Sequence, residues 1–198
     1  MNPTFALPLL AAFLSLSASH ALAQGKFIEP PVFAEEIKAG KLPPIAKRLP
    51  EAPLVVKLGA GQEAGQYGGS LSMLIGRSRD VRMMVVYGYA RLVGYDTNFN
   101  IVPDILESIE AKGERVFTMK LRKGHRWSDG QPFTTDDFRY FWDDVANNKE
   151  LSPTGPPSDL LVNGEAPKVE FIDKQTVRYS WSKPNPDFLP RMAGASWG

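Results

Sequence analysis

The sequence predicts a mixed α/β fold, and three stretches carry that prediction. Val116–Leu121 (Val-Phe-Thr-Met-Lys-Leu) alternates strictly, which puts Phe117, Met119 and Leu121 on one face of a strand. Thr134, followed three residues later by Asp137, reads as a capping box, after which Phe138, Phe141, Trp142 and Val145 recur at helical spacing. Residues 169–172, a turn at Asp173-Lys174-Gln175, and residues 176–181 with Val177, Tyr179 and Trp181 alternating read as a hairpin.

Taken in chain order, residues 24–66 are rich in Pro, Gly and charge, with Pro30-Pro31, Pro43-Pro44, Pro50 and Pro53 punctuating them. Long regular elements do not form in such a stretch, and it reads as an extension draped over the main domain. A short helix over 32–39 is predicted inside it, because Phe33 and Ile37 share a face opposite Glu35-Glu36 and Gly40 supplies a stop. Gly59, Gly61 and Ala64 match the spacing of a dinucleotide-binding loop, but Gly65, Gly68 and Gly69 follow at once and leave no helix to hold a pyrophosphate. A loop is the reading retained. Residues 70–75 (Ser-Leu-Ser-Met-Leu-Ile) alternate and then turn apolar, predicting a partly buried strand that Gly76 ends. Residues 81–93, with Met83, Met84, Val85, Val86, Tyr87, Tyr89 and Leu92, predict a buried helix leading to a turn at Gly94. In Trp127-Ser128-Asp129-Gly130, Asp129 can bond its own backbone and Gly130 can take positive φ, with Trp127 packed beneath the turn. Asn147-Asn148 ends the capped helix.

Composition narrows the function classes. Among 198 residues, 23 basic side chains face 22 acidic ones for a net charge of +1, so no global field recruits nucleic acid or an anionic membrane. Cysteine is absent, which removes disulfides, thiolate catalysis and cysteine-based zinc sites. His20 and His125 are the two histidines, too few for a multi-histidine metal centre. No cofactor is expected.

The N-terminus reads as an export leader. An apolar run over 5–16, interrupted by Pro8, is followed by small residues ending in Ala21-Leu22-Ala23 before Gln24, an A-x-A cleavage pattern. The run is shorter than the ~20 residues that span a bilayer, and Ser15, Ser17, Ser19 and His20 break its continuation. No Lys or Arg precedes it, a departure from the usual leader. Cleavage between Ala23 and Gln24, no lipid anchor and a periplasmic destination are the expectations.

Residues 121–138, Leu-Arg-Lys-Gly-His-Arg-Trp-Ser-Asp-Gly-Gln-Pro-Phe-Thr-Thr-Asp-Asp-Phe, resemble the signature of the extracytoplasmic solute-binding proteins of family 5, the oligopeptide- and dipeptide-binding components of ABC importers. That signature runs roughly LRxGxxWxDGxPxTAxD into an aromatic-rich helix, and Thr135 replaces its alanine. Tyr67-Gly68-Gly69-Ser70-Leu71, residues 86–96 and residues 103–108 also look like family segments. The resemblance implies a two-lobed periplasmic binding protein fold of the second type, closing on a peptide or similar small solute and delivering it to the permease subunits in the inner membrane. It further implies a monomer without turnover. The expected organisation is a leader at 1–23, the extension at 24–66, and the first portion of the solute-binding domain at 67–198, with most of the second lobe missing.

Ligand contacts are expected where the opening strand ends. Gly76, Arg77, Ser78 and Arg79 leave the sheet edge there, and the resemblance implies that they line the cleft. Backbone groups could pair with an extended peptide, and either arginine could grip a carboxylate, against the blander reading of a solvated basic turn. Tyr87 and Tyr89 could supply aromatic walls or pack in the core, and Trp197 is a further candidate. Asp136, Asp137, Asp143 and Asp144 invite a carboxylate-pair reading, but the first two sit where a helix N-terminus wants negative charge. Two rival functions stay open at this point: a secreted hydrolase and a truncated, non-functional remnant.

Overall fold

The computed structural model describes residues 27–81 and 90–194. At its centre is a four-stranded antiparallel sheet in the order β3-β4-β6-β5, formed by β3 (Leu106–Lys112), β4 (Val116–Leu121), β5 (Lys168–Phe171) and β6 (Thr176–Ser180). Register makes the sheet one-sided. Ala111, Phe117, Tyr179 and Val169 line up across it, as do Ile109, Met119, Val177 and Phe171. The intervening row, Glu110, Thr118, Arg178 and Glu170, is polar, and Arg178 Nε donates to Thr118 Oγ1 at 3.1 Å. The alternation seen in β4 and in the β5–β6 hairpin therefore sorts the side chains as predicted.

The apolar face is covered from one side by α4 (Phe188–Ala193), whose Phe188 ring lies 4.9 Å from Phe117, 5.0 Å from Trp181 and 5.3 Å from Tyr179. Trp181 satisfies its indole N–H on the carbonyl of Leu160 at 2.9 Å, so the buried cluster holds no orphaned indole donor. Burial pushes the Tyr179 phenol up to about 12. Helix α4 is not foreseen from sequence, because Pro184, Pro186 and Pro190 surround it. Pro190 falls in its first turn, where a missing N–H costs nothing.

Before the sheet, β1 (Val93–Tyr95) and β2 (Ile101–Pro103) form a separate antiparallel pair. This corrects the prediction of a helix through Val93 with a turn at Gly94. Val93 is fully buried in β1, Gly94 pairs with Val102, and the reversal comes at residues 96–100, where Asp96 accepts the N–H groups of Asn98 and Asn100. The rest of that predicted helix, 82–89, lies outside the described residues.

Strand β3 also escaped the sequence reading, for a definable reason. Its apolar residues Leu106 and Ile109 are three apart, which a regular strand would send to opposite faces. Leu106 pairs with Leu121 and Ser108 with Lys120, so Glu107 is an extra residue in a bulge, and both apolar side chains reach the core.

Helix α3 (Thr135–Arg139) carries the predicted cap, with Thr134 N–H donating to Asp137 Oδ2 at 2.8 Å and the Thr134 hydroxyl accepting from the helix N-terminus. It continues as a wider π-type turn over Tyr140–Ala146 and ends at Asn147. The predicted apolar face is only half covered: Phe138, Trp142 and Val145 are partly buried and Phe141 is 41% exposed. Buried Thr135 ties α3 to the β5–β6 turn, its N–H donating to Lys174 O at 3.1 Å and its hydroxyl to Asp173 O at 2.5 Å.

In the extension lie α1 (Ala34–Lys38) and α2 (Ile45–Arg48), and Glu29, ahead of both, fastens to α2 by pairing with Arg48 and accepting Ile45 N–H at 2.9 Å. The predicted helix over 32–39 is therefore present in its latter part, behind a 3-10 turn at Pro31–Phe33. The extension meets the main body at Glu51, whose N–H donates to Lys123 O at 3.0 Å and whose carboxylate pairs with Lys123 Nζ at 3.0 Å. Residues 70–75 form no strand, contrary to prediction. Leu71 is 80% exposed and Leu74 fully so, because no described strand runs alongside to complete a ladder.

Candidate functional site

The segment Arg122 to Asp137 is a loop shaped by its own backbone bonds and then pinned to α3. Trp127 N–H donates to Gln131 O at 2.8 Å and Gly130 N–H to Trp127 O at 2.9 Å, with Gly130 at φ +88° as the turn requires. Asp129 accepts the N–H of Gln131 at 2.8 Å. Trp127 is not packed beneath the turn as expected. Its ring stays 51% exposed, edge-on to Phe133 at 5.1 Å, because its indole N–H reaches across to Asp137 Oδ1 at 3.0 Å.

Beside this loop, α3, the sheet and α4 bound an apolar recess of about 460 Å³, lined among others by Leu92, Ile105, Met119, Phe133, Phe138 and Met192. Asp137 is the carboxylate at its rim, and both of its oxygens are engaged, by Trp127 and by Thr134. A second recess of about 430 Å³ carries Arg122, His125, Arg126 and Lys174. Its cations are occupied too: Arg122 Nε donates to Asp104 O at 2.9 Å, Arg126 Nη1 to Gly130 O at 2.9 Å, and Lys174 pairs with Asp136. The hydrogen bond from Lys174 holds the Asp136 carboxyl below the usual carboxylate range. Asp136 and Asp137 thus spend their charge on the helix N-terminus and its partners, which is structural chemistry. Among the described residues no group of three or more His, Asp or Glu side chains comes together as a metal cage.

Of the sequence-predicted contacts, Gly76, Arg77, Ser78 and Arg79 lie together in an exposed turn entering a 3-10 segment at Ser78–Val81, where Asp80 accepts the N–H of Arg77 at 2.9 Å. Tyr87, Tyr89 and Trp197, and the cleavage pair Ala23 and Gln24, lie outside the described residues. The recess residues Leu92 and Ile105 were missed as a pair because they are brought together by backbone bonds between distant segments, Ile105 N–H to Arg91 O at 2.9 Å and Leu106 N–H to Leu92 O at 3.3 Å, which leave no sequence periodicity.

Comparison with known proteins bears on the same region. Residues 100–196 match the family model described as bacterial extracellular solute-binding proteins, family 5 Middle. The periplasmic alpha-galactoside-binding protein of Rhizobium meliloti strain 1021 is 28% identical over 170 residues, covering 76% of this chain and 24% of that protein. The periplasmic oligopeptide-binding protein OppA of Escherichia coli K12 is 31% identical over 113 residues, 51% of this chain and 21% of that one. Among solved structures, an oligopeptide-binding protein OppA superposes with a TM-score of 0.71 at 32% identity, over 85% of this chain and 26% of its own. The periplasmic binding protein MelB of Agrobacterium fabrum C58, in complex with stachyose, gives 0.56 at 28% identity, over 84% and 28%. The chain spans between a fifth and a quarter of the length of these curated relatives. Its mixed helix and sheet architecture is that of part of a periplasmic binding protein.

Proposed function

We propose, from the premise that this chain belongs through residues 100–196 to the bacterial extracellular solute-binding proteins of family 5, that the whole protein is the solute-capturing component of an ABC importer. It takes up a peptide or similar small solute in the periplasm and hands it to the permease subunits in the membrane, without chemical turnover and as a monomer. The observation that carries this reading is the 121–138 segment. Its turn, cap and indole–carboxylate bond form one connected unit, in which both oxygens of Asp137 are engaged by the turn and the helix cap. Export follows from the leader, cut between Ala23 and Gln24, and the functional units are the leader at 1–23, the extension at 24–66 and the solute-binding portion from 67. Arg77 and Arg79, with the backbone of Gly76 and Ser78, contribute to the ligand cleft, as do Tyr87, Tyr89 and Trp197.

A second solute class has its own support. An α-galactoside-binding relative and a stachyose complex match 76% and 84% of this chain, whereas the E. coli oligopeptide-binding relative matches 51%. The solved OppA structure, at 85%, restores the balance for peptides. The deciding experiment is thermal unfolding of the protein purified from a periplasmic extract, with oligopeptides in one series and α-galactosides in the other. A solute at 100 times its Kd adds about 2.7 kcal/mol to the folded state. A rise in Tm with one class names it, and a flat Tm with both overturns the reading.

A further inference from the structure

Between the capped helix and β5 the chain makes a tight hairpin at Val162-Asn163-Gly164-Glu165. Val162 and Glu165 face each other across an antiparallel bridge and exchange both backbone hydrogen bonds, at 2.9 and 3.0 Å. Asn163 at φ +52° and Gly164 at φ +81° fill the turn, both left-handed as a type I′ turn requires. The peptide unit joining them is exposed, and none of the described backbone hydrogen bonds uses the Asn163 carbonyl or the Gly164 N–H. A Cβ on Gly164 would meet nothing within 4 Å, so the approach to that nitrogen is open.

An asparagine side chain is attacked most readily by the backbone nitrogen that follows it when that nitrogen is unhindered and unbonded, which makes asparagine a thermolabile residue. The chain offers one comparable place, Asp129-Gly130, and there both reacting groups are held. Gly130 N–H donates to Trp127 O at 2.9 Å, and Asp129 Oδ1 accepts Gln131 N–H at 2.8 Å. Elsewhere among the described residues asparagine precedes Phe99, Ile101, Asn148, Lys149 or Pro186, whose side chains or ring crowd the approach. Asn163 combines the small successor with the free amide.

We infer that Asn163 is a self-modification site, at which the folded chain deamidates through a cyclic imide. The Gly164 backbone nitrogen gives its proton to hydroxide and attacks Cγ of Asn163. The new C–N bond forms, the Cγ–Nδ2 bond breaks, and Nδ2 leaves as ammonia with a proton from water. Water then opens the imide at either carbonyl, giving aspartate or isoaspartate. Water is consumed, ammonia is released and no atom changes oxidation state. Isoaspartate adds a methylene to the main chain between residues 163 and 164, so Val162 and Glu165 lose their register. Val162 packs against the core and Glu165 accepts the hydroxyl of Ser182, so the change loosens the hairpin's hold on the main body. The inference is independent of which solute the whole protein carries.

Peptide mapping by mass spectrometry, on folded 198-residue chain aged in mildly alkaline buffer, tests it. The peptide that holds residue 163 gains the mass difference between an amide and an acid ahead of every other asparagine peptide. It also splits into two forms, of which the isoaspartyl one accepts a methyl group from a protein isoaspartyl methyltransferase. Asn163→Gly suits the turn and supplies no amide, so it shows neither change. Asn163→Asp passes through the same imide and yields isoaspartate without the mass gain. The near-ultraviolet circular dichroism of the buried tryptophan confirms that each variant is folded. Hydrogen exchange at the Val162 and Glu165 amides loses its protection in the isoaspartyl form. A chain in which Asn163 stays intact, or is overtaken by another asparagine or by Asp129, overturns the inference, as does unchanged protection at Val162 and Glu165.

Discussion

The indole Nε1–H of Trp127 donates to Oδ1 of Asp137 at 3.0 Å, across ten residues of sequence, while Oδ2 of the same carboxylate accepts the N–H of Thr134 at 2.8 Å. One side chain therefore fastens the tight turn to the helix that follows it. Asp137→Ala removes both bonds and is expected to cost about 1–2 kcal/mol for the cap and about 1 kcal/mol more for the indole bond. Trp127→Phe keeps the ring contact with Phe133 and loses the second amount alone. Urea unfolding measures both, and losses within about 0.5 kcal/mol of zero, as at an ordinary surface position, would contradict the fastening role.

Gly124 is where the N-terminal extension docks. It sits at φ +90°, and a Cβ there would stand 2.9 Å from the backbone nitrogen of Glu51. Gly155, at φ +82°, has open space around it. Gly155→Ala should cost about 1–2 kcal/mol for the left-handed backbone alone. Gly124→Ala adds displacement of residues 50 and 51, visible as faster proteolytic cutting between α2 and residue 57. Equal cutting in the two variants would mean that the extension is not held at this point.

Phe188 is 1% exposed and touches three aromatic rings. Phe188→Ala is expected to cost about 3–5 kcal/mol and to release α4, whereas Phe141→Ala, at a residue 41% exposed, should cost far less. Chemical denaturation of the pair gives the comparison, and similar losses would place the core elsewhere.

His125 makes stability depend on pH in a window of its own. Its Nε2 is buried without a hydrogen-bond partner. Burial first, then the Arg122 guanidinium, hold the imidazole below its ordinary 6.5, against an opposing pull from Asp104. The unfolded chain then takes up a proton at a higher pH than the folded one. Stability is thus fully present above pH 6.5 and declines as pH falls below it, until the folded imidazole also protonates. Asp136 acts lower, its contribution present above 3.8 and lost as pH falls beneath that value. His125→Gln should flatten the first decline and leave the second, as read from Tm across pH; an unchanged profile would clear His125 of the effect.

The elements legible in the sequence were those whose side chains report their own surroundings. Phe117, Met119 and Leu121 alternate because one sheet face is buried, and Thr134 with Asp137 forms a cap from residues three apart. Illegible were the elements whose form depends on a distant partner. Strand β3 hides its period behind the Glu107 bulge, which exists only against β4. Helix α4 holds together under prolines because Phe188 has three rings to fill between.

The sequence by itself determined the α/β class, the β4 strand, the Trp127–Gly130 turn, the capped helix and the β5–β6 hairpin, since each needs only neighbours within a few residues. Tertiary structure decided the rest. It made Val93 and Gly94 a strand by giving them Val102 and Pro103 to pair with. It placed no described strand beside residues 70–75, whose pattern promised a strand. It also sent Trp127 outward to reach Asp137. The physical reason is common to all three: a ladder or a buried ring is stabilised by what lies across from it, and that neighbour is set by the fold and not by the local chain.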